Sequence, residues 1–234
     1  GSGAFLKDFK KSRELAVALI DTAKLLGIRC VAVLTAMDEP LGLAVGNGIE
    51  LEQSIRILRG EKGPADFMEV LEVLSGWMIF LGAKARTPEE GMAKARAVIA
   101  DGSALEKMRL LVRWQGGDAR VVDDPEKFLP RAKLAVEVKA AKAGYLTGLD
   151  ARTVGHASVV LGAGRARAED SVDPGAGLQL YKKVGDRLVP GEVIARLYAS
   201  DAAKLREGKK TFESALAKGP RPPKKARLIK EIIK

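Results

Sequence analysis

The chain has 234 residues, of which 47% are hydrophobic and 30% are charged. These proportions exclude an intrinsically disordered chain, and apolar runs such as Cys30 to Leu34 are far too short to cross a bilayer. The single cysteine cannot form an internal disulfide, and no basic-then-apolar leader opens the sequence, so we expect a cytoplasmic protein. Sites built on several cysteines or several histidines are also excluded, because His156 is the only histidine.

The net charge of +10 is concentrated at the C-terminal end. Residues 204–234 contain 11 Lys or Arg and 3 Glu, so the first 203 residues carry only +2. The segment Pro220-Arg221-Pro222-Pro223-Lys224-Lys225 is typical of a solvated linker. Binding to nucleic acid is therefore not favoured, although a basic-tail binder stays an alternative.

In chain order, the first predicted elements are a helix and a buried strand. Residues 12–26 place Leu15, Leu19 and Leu26 at helical spacing, and Gly27 follows where helices often end. The apolar run Cys30 to Leu34 is typical of a strand covered on both faces, so this region predicts an α/β layer.

A loop rich in Gly and Pro, residues 36–48, precedes a series of helices. The sequence Thr87-Pro88-Glu89-Glu90 is a capping box with proline at the first helical position. Four helices are predicted, over about Leu51 to Gly60, Ala65 to Leu81, Pro88 to about Ala100, and Ser103 to Trp114.

The pattern changes after Gly116-Gly117, where β-branched residues alternate and glycine becomes frequent. We therefore expect an α/β part at residues 1–116 with helices on a mixed sheet, a smaller β-rich, barrel-sandwich-like domain at 117–203, and a C-terminal helix and basic tail at 204–234. The helix should run from about Ala202 to Lys218. The predicted strands are Leu134 to Val138, Gly144 to Leu149, Ser158 to Leu161, Leu178 to Lys182 and Glu192 to Tyr198.

Several blocks occur in a specific order: Gly1-Ser2-Gly3-Ala4-Phe5-Leu6-Lys7, Leu41-Gly42-Leu43-Ala44-Val45-Gly46-Asn47-Gly48-Ile49-Glu50, Lys142-Ala143-Gly144-Tyr145, Leu161-Gly162-Ala163-Gly164-Arg165 and Lys183-Val184-Gly185-Asp186. Together they resemble the bacterial pyrimidine-nucleoside and thymidine phosphorylases over essentially the whole chain. The Val45-Gly46-Asn47 version of the second block favours the pyrimidine-nucleoside branch over the AMP phosphorylases.

The resemblance implies reversible phosphorolysis of thymidine or uridine, with inorganic phosphate as co-substrate and no redox cofactor. In that family the glycine-rich phosphate loop and the residues that grip the base precede the first block, and these 234 residues do not contain them. Gly116-Gly117-Asp118 is a superficial echo of that loop, which we interpret as a turn. We therefore expect a C-terminal fragment that is inactive alone, needs an N-terminal half, and does not form the family dimer.

The resemblance also implies a few site residues. Phe5 matches an apolar position that lines the pyrimidine pocket, and ordinary core packing is the alternative. Leu41 and Ala44 match backbone carbonyl ligands of a monovalent cation. The carboxylate that completes this site falls on Gln53, which is a weaker partner for a cation, although Glu50 and Glu52 lie nearby.

Other candidates have plainer interpretations. His156 lacks a neighbouring carboxylate, so a structural or exposed histidine is expected, and Cys30 should be a buried, inert residue. The segment from Lys183 to Val193 resembles biotinyl and lipoyl carrier domains, but Lys107, in the only biotinylation-like sequence, falls in a predicted helix. The main alternative from another class is a non-catalytic scaffold or interaction module.

Overall fold

The computed structural model describes residues 1–165 and 167–234, and it confirms the α/β class. Within these residues, no helix is both long and apolar enough to span a membrane. A short 3-10 helix covers Ala119–Val122. The α-helices are α1 (Phe9–Leu25), α2 (Asn47–Leu58), α3 (Ala65–Leu81), α4 (Pro88–Ala100), α5 (Ser103–Trp114), α6 (Pro125–Phe128), α7 (Ala151–Leu161) and α8 (Ala202–Ser214).

Capping side chains fix where several helices begin. Asp8 accepts a hydrogen bond from the Lys11 N–H at 3.0 Å, so α1 starts three residues earlier than its apolar spacing suggests. The Thr87 hydroxyl accepts from the Glu90 N–H at 3.1 Å, with Pro88 in the first turn, as the capping sequence predicts.

The strands form three small sheets. They are β1 (Ala32–Thr35), β2 (Ala44–Val45), β3 (Leu134–Lys139), β4 (Gly144–Leu149), β5 (Gly177–Leu180), β6 (Arg187–Leu188), β7 (Val193–Ala199), β8 (Leu216–Gly219) and β9 (Ile229–Ile233). One sheet pairs β1 with β9, one has the order β2-β5-β7-β3, and one has the order β6-β4-β8. Every pairing in the described part of the chain is antiparallel, so these residues form neither a mixed sheet nor a closed barrel.

The main hydrophobic core belongs to the second half of the chain. Its buried side chains come from α7, α8 and the strands of the two larger sheets. A separate, smaller cluster around Ile55, Val121 and Val122 lies between α2 and the 3-10 helix. The fully buried members of the main core include Leu146, Val154, Leu161, Leu178, Leu180, Ile194, Leu197 and Phe212.

The predicted strand at Ser158 to Leu161 is wrong, because these residues form the last part of α7. Asp150 caps this helix by accepting from the Thr153 N–H at 2.8 Å, and Val154 and Leu161 are buried on its inner face. A short apolar run fits a strand and a buried helix equally well, so periodicity alone did not separate them.

The predicted C-terminal helix is too long, and the basic tail is partly structural. After α8 ends at Ser214, residues 216–219 form β8 beside β4, and residues 229–233 form β9 beside β1. The Glu231 carboxylate also accepts from the Arg13 side chain of α1 at 3.1 Å. The tail therefore returns to the first strand of the chain.

The first strand is less covered than its apolar sequence predicts. Its residues are half-buried, and it begins at Ala32, so Cys30 lies just before it and is half-buried too. Cys30 is therefore not the buried strand residue that we expected. The reason is that β1 has only β9 as a partner among the residues that the structure describes.

The two halves of the chain share a sheet. Ala44 pairs with Gln179, and Val45 pairs with Leu178, so β2 lies at the edge of the sheet that belongs mostly to the second half. The division near residue 117 stays a prediction, and the loop before β2 is fixed against the β-rich part.

Candidate functional site

The N-terminal glycine block packs against the end of β1. The Gly3 N–H donates to the Met37 carbonyl at 2.9 Å, and the Ser2 hydroxyl donates to the Asp38 carbonyl at 3.3 Å. A Cβ atom on Gly3 would lie 2.9 Å from the Ala151 Cβ atom, so the close approach requires glycine. The block is a packed turn that sets the direction of the residues that follow it.

Phe5 projects from this turn into solvent. Its exposed fraction is 97%, and it does not line the polar groove described below. Core packing, the alternative interpretation, is therefore wrong. A role for Phe5 in the pyrimidine pocket stays a prediction.

The Leu41–Ala44 loop is held by the side chain of Gln53 on α2. Gly42 has a φ of 73°, and a Cβ atom there would lie 2.7 Å from the Gln53 Nε2 atom. The Gln53 Oε1 atom accepts from the Leu43 N–H at 2.9 Å. The amide thus takes a backbone donor that an exposed loop would give to water.

The same loop is bonded to the C-terminal sheet. The Leu43 carbonyl accepts from the Leu180 N–H at 2.7 Å and from the Gln179 side chain at 2.9 Å. These bonds extend the β2–β5 pairing toward Gly42. The loop therefore bridges α2 and β5.

The Lys183 ammonium group also contacts this loop, and it is surrounded by oxygen atoms. It is 2.9 Å from the Asp66 Oδ2 atom and 3.2 Å from the Gly42 carbonyl, and it also contacts the Pro40 carbonyl. The Glu39 carboxylate lies 3.4 Å away. We call Lys183 and these four oxygen partners the Lys183 cluster.

Asp66, in the first turn of α3, is the carboxylate at the centre of the Lys183 cluster. Burial opposes its ionisation, but the hydrogen bond and charge of Lys183, together with the Gly42 N–H at 3.0 Å, hold the pKa of Asp66 below its usual value. Asp66 is therefore an anion that binds both an ammonium group and the loop backbone.

Leu41 is half-buried and Ala44 is buried, and they lie on either side of Gly42 and Leu43. Their role as cation ligands stays a prediction. Across residues 1–165 and 167–234, no group of three or more His, Cys, Asp or Glu side chains is arranged to hold a metal ion.

A polar groove of about 640 Å³ opens between α2 and the outer side of β5 and β7. Two tyrosines contribute to its wall, and burial raises the pKa of the Tyr181 phenol. The Arg131 guanidinium lies 5.0 Å from the centre of the Tyr198 ring. The groove thus offers aromatic surface beside cationic groups.

Carboxylates already neutralise two of the arginines in this groove. Glu52, which is buried, accepts from Arg56 at 3.0 Å and from Arg131, and Glu126 also pairs with Arg56. Ion pairs of this kind organise the wall of a groove, and they leave less positive charge for an anionic ligand. The groove is thus not an evident phosphate site.

The remaining candidates from the sequence keep their plainer interpretations in the structure. His156 is exposed on α7, as expected, and Lys107 lies within α5. Gly116, with a φ of 75°, and Gly117 form the turn after α5, and Asp118 caps the next short helix by accepting from the Arg120 N–H at 2.9 Å. The predicted turn is confirmed.

The second half of the chain contains the two bracketing turns that its sequence predicts. The Lys183 N–H donates to Asp186 at 2.8 Å, and the Val189 N–H donates to Glu192 at 3.1 Å. Strand β6 lies between them. The Gly-Asp turn therefore places Lys183 beside the loop that precedes β2.

The fold and the loop before β2 define an α/β protein whose helical part is hydrogen-bonded to a β-rich C-terminal unit. Residues 145–217 match the family model described as "Pyrimidine nucleoside phosphorylase C-terminal domain". Over 200 residues, or 86% of this chain, the sequence is 42% identical to the pyrimidine-nucleoside phosphorylases of Geobacillus stearothermophilus and Bacillus subtilis (strain 168). It is 40% identical to that of Staphylococcus aureus (strain USA300).

The chain is therefore similar to the C-terminal portion of the pyrimidine-nucleoside phosphorylases, as the ordered sequence blocks predicted. It spans about half the length of these relatives, since the match covers 46% of each of them.

Sequence reasoning missed Asp66 and the position of Lys183. An acidic residue in the first turn of a helix is ordinarily explained by the helix dipole, so Asp66 gave no separate signal. The sequence pattern indicates Lys183 only as part of a turn motif. The contact between them joins residues that are far apart in the chain, so no local sequence pattern predicts it.

Proposed function

We propose that this chain supplies the C-terminal portion of a pyrimidine-nucleoside phosphorylase. The reaction is the reversible attack of inorganic phosphate on a pyrimidine nucleoside such as uridine or thymidine, which gives the free base and a pentose 1-phosphate. The match of residues 145–217 to the family model and the similarity to the relatives support this proposal. The single unpaired cysteine suits a cytoplasmic enzyme.

In this proposal the reaction needs a second part, the N-terminal portion of the family, on the same polypeptide or on another one. Phosphate attacks the anomeric carbon through an oxocarbenium-like transition state, and donors on the second part stabilise the departing base. The present residues contribute one wall of the base pocket through Phe5. They also provide the mass that moves when the two parts close and exclude water.

The observation that carries this proposal is an apolar face beside β1. Leu19 on α1 is 59% exposed, and Leu25 at the end of that helix is 89% exposed. Leu26 and Ile28, which follow, are 70% and 57% exposed. Among the described residues, β1 pairs with β9 on one edge only. Exposed apolar residues next to such a strand are typical of a surface that another part of a protein covers.

The N-terminal portion of the family is the occupant to which we assign this face. More than half of each relative's length lies outside the match. A strand from that portion can add to the remaining edge of β1, and its helices can cover the leucines of α1. The apolar face then becomes an interior, which explains why its side chains resemble a core.

A complementation assay tests the proposal. The 234-residue chain is mixed with the N-terminal portion of the Geobacillus stearothermophilus relative, and release of uracil or thymine is measured with and without phosphate. We expect phosphate-dependent release from the mixture and none from either part alone, because neither part contains all of the reacting groups.

A pair of variants links the assay to the apolar face. Leu19→Lys places a charge on the face and should reduce complementation at least about tenfold. Val189→Lys is the control, since Val189 is similarly exposed, at 51%, but lies in the turn between β6 and β7.

Two outcomes would contradict the proposal. Phosphate-dependent release of base by the 234 residues alone would show that the second part is unnecessary. Association of the two parts without any release would favour the non-catalytic scaffold instead.

A further inference from the structure

The Lys183 cluster has the composition of a cation site that is filled by a side chain. Two backbone carbonyls, from Pro40 and Gly42, and two carboxylates, from Glu39 and Asp66, surround one ammonium group. Carbonyl and carboxylate oxygens are the ligands that hard metal cations prefer. The ammonium of Lys183 satisfies the same oxygen atoms with hydrogen bonds and charge.

Lys183 is held in this position by its own backbone and by its surroundings. The side chain is only 17% exposed, and that of Asp66 is 25% exposed, so water screens their attraction only partly. The Lys183 N–H donates to Asp186, and the next N–H along the chain, that of Val184, donates to Glu39 at 3.2 Å. The turn therefore delivers the ammonium to the loop in a defined orientation.

The residues around the loop do not fit an exchangeable metal ion. The Gln53 Oε1 atom, at the position where the family resemblance implies a carboxylate ligand, already accepts from the Leu43 N–H at 2.9 Å. A metal ion near Gly42 would also face the positive charge of Lys183, 3.2 Å from the Gly42 carbonyl. The metal ion and the ammonium group would then share that oxygen atom, and their like charges would repel each other in a partly buried site.

We propose that Lys183 is a built-in cation, which holds the loop that precedes β2 in the way that a bound monovalent ion would. The loop is then ordered without potassium or sodium. The inference rests on the geometry of the Lys183 cluster, and it holds whether or not the completed protein has phosphorylase activity.

The first test compares salts on the unaltered chain. Its melting temperature is measured in potassium chloride, sodium chloride and choline chloride at equal ionic strength. We expect the three values to agree, because the oxygen cage is already occupied. Selective stabilisation by potassium or sodium over choline would overturn the proposal, and this result does not depend on any variant folding.

The second test removes the ammonium. Lys183→Ala leaves Asp66 and the two carbonyls without their cation, and it should lower the melting temperature by at least about 5 °C in choline chloride. Potassium or sodium should restore part of this loss, since the emptied oxygen cage can then accept a metal ion.

Lys182→Ala is the matched control. The Lys182 side chain is 19% exposed and pairs with Glu192 at 2.5 Å. The substitution therefore removes a similar aliphatic stem and a similar ion pair, but one that is not made with the loop before β2. Its melting temperature should not distinguish potassium from choline. A Lys183→Ala protein with no greater loss than this control, or with no response to the metal ions, would overturn the proposal.

Discussion

The helical first part of the chain and the β-rich second part differ in how completely each buries its apolar side chains. In the second part, α7, α8 and two sheets enclose a continuous core in which Leu178, Ile194, Leu197 and Phe212 are fully buried. In the first part α5 has no buried residue, and several leucines near β1 are mostly exposed.

The difference shows that burial, and not sequence hydrophobicity, separates the two parts. Both contain apolar helices, but those of the second part enclose a continuous core with two sheets, whereas several apolar residues near β1 stay mostly exposed. An apolar face without a cover contributes little to stability until another surface removes it from water. We therefore expect the second part to dominate the free energy of unfolding of the isolated chain.

Two phenylalanines give the sharpest test of this comparison. Phe212→Ala removes a fully buried ring from α8 and should lower the free energy of unfolding by about 3 to 5 kcal/mol. Phe5→Ala removes a ring that is 97% exposed and should change it by no more than about 0.5 kcal/mol. Urea unfolding measures both, and similar losses would break the comparison.

Two glycines test the loop that joins the two parts. Gly42 and Gly27 have similar φ angles, 73° and 69°, so alanine strains the backbone equally at both. Only at position 42 does the new Cβ atom meet a neighbour, the Gln53 amide, 2.7 Å away, whereas nothing lies within 4 Å at position 27.

Gly42→Ala should therefore cost about 1 to 2 kcal/mol more than Gly27→Ala, because Gln53 must give up its hydrogen bond to the Leu43 N–H. Denaturant unfolding of the two variants gives the difference directly. Equal losses would mean that the contact between the loop and Gln53 contributes nothing to stability.

The smallest expected effect concerns the attachment of the tail to α1. The Arg13 Nε atom lies 3.1 Å from the Glu231 Oε1 atom, and the two side chains are 49% and 31% exposed. Because water screens a pair of this kind, a double-mutant cycle with Arg13→Ala and Glu231→Ala should give a coupling of about 0.2 to 1 kcal/mol. The coupling should shrink in high salt. A larger value that persists in salt would show that the tail contributes more to the first part than its exposure indicates.

The sequence predicted much of the fold because many of its signals are local. The caps at Thr87 and Pro88, the turn at Gly116 and the strands β3 and β4 follow from residues within a few positions of one another. The ordered blocks also predicted the family correctly. The predictions for the strand at Ser158, the end of α8, the cover of β1 and the mixed sheet were wrong, because each feature depends on what packs beside it.

What the sequence by itself determined is the helices from α1 to α5, several turns, the α/β class and the resemblance to the phosphorylases. Tertiary structure alone decided that the basic tail returns to β1, that Phe5 faces solvent, and that Lys183 reaches Asp66 across the loop. The physical reason is the distance along the chain over which each kind of interaction acts. Capping and periodicity act over one or two helical turns, whereas strand pairing and ion pairing join residues whose separation in the chain leaves no pattern.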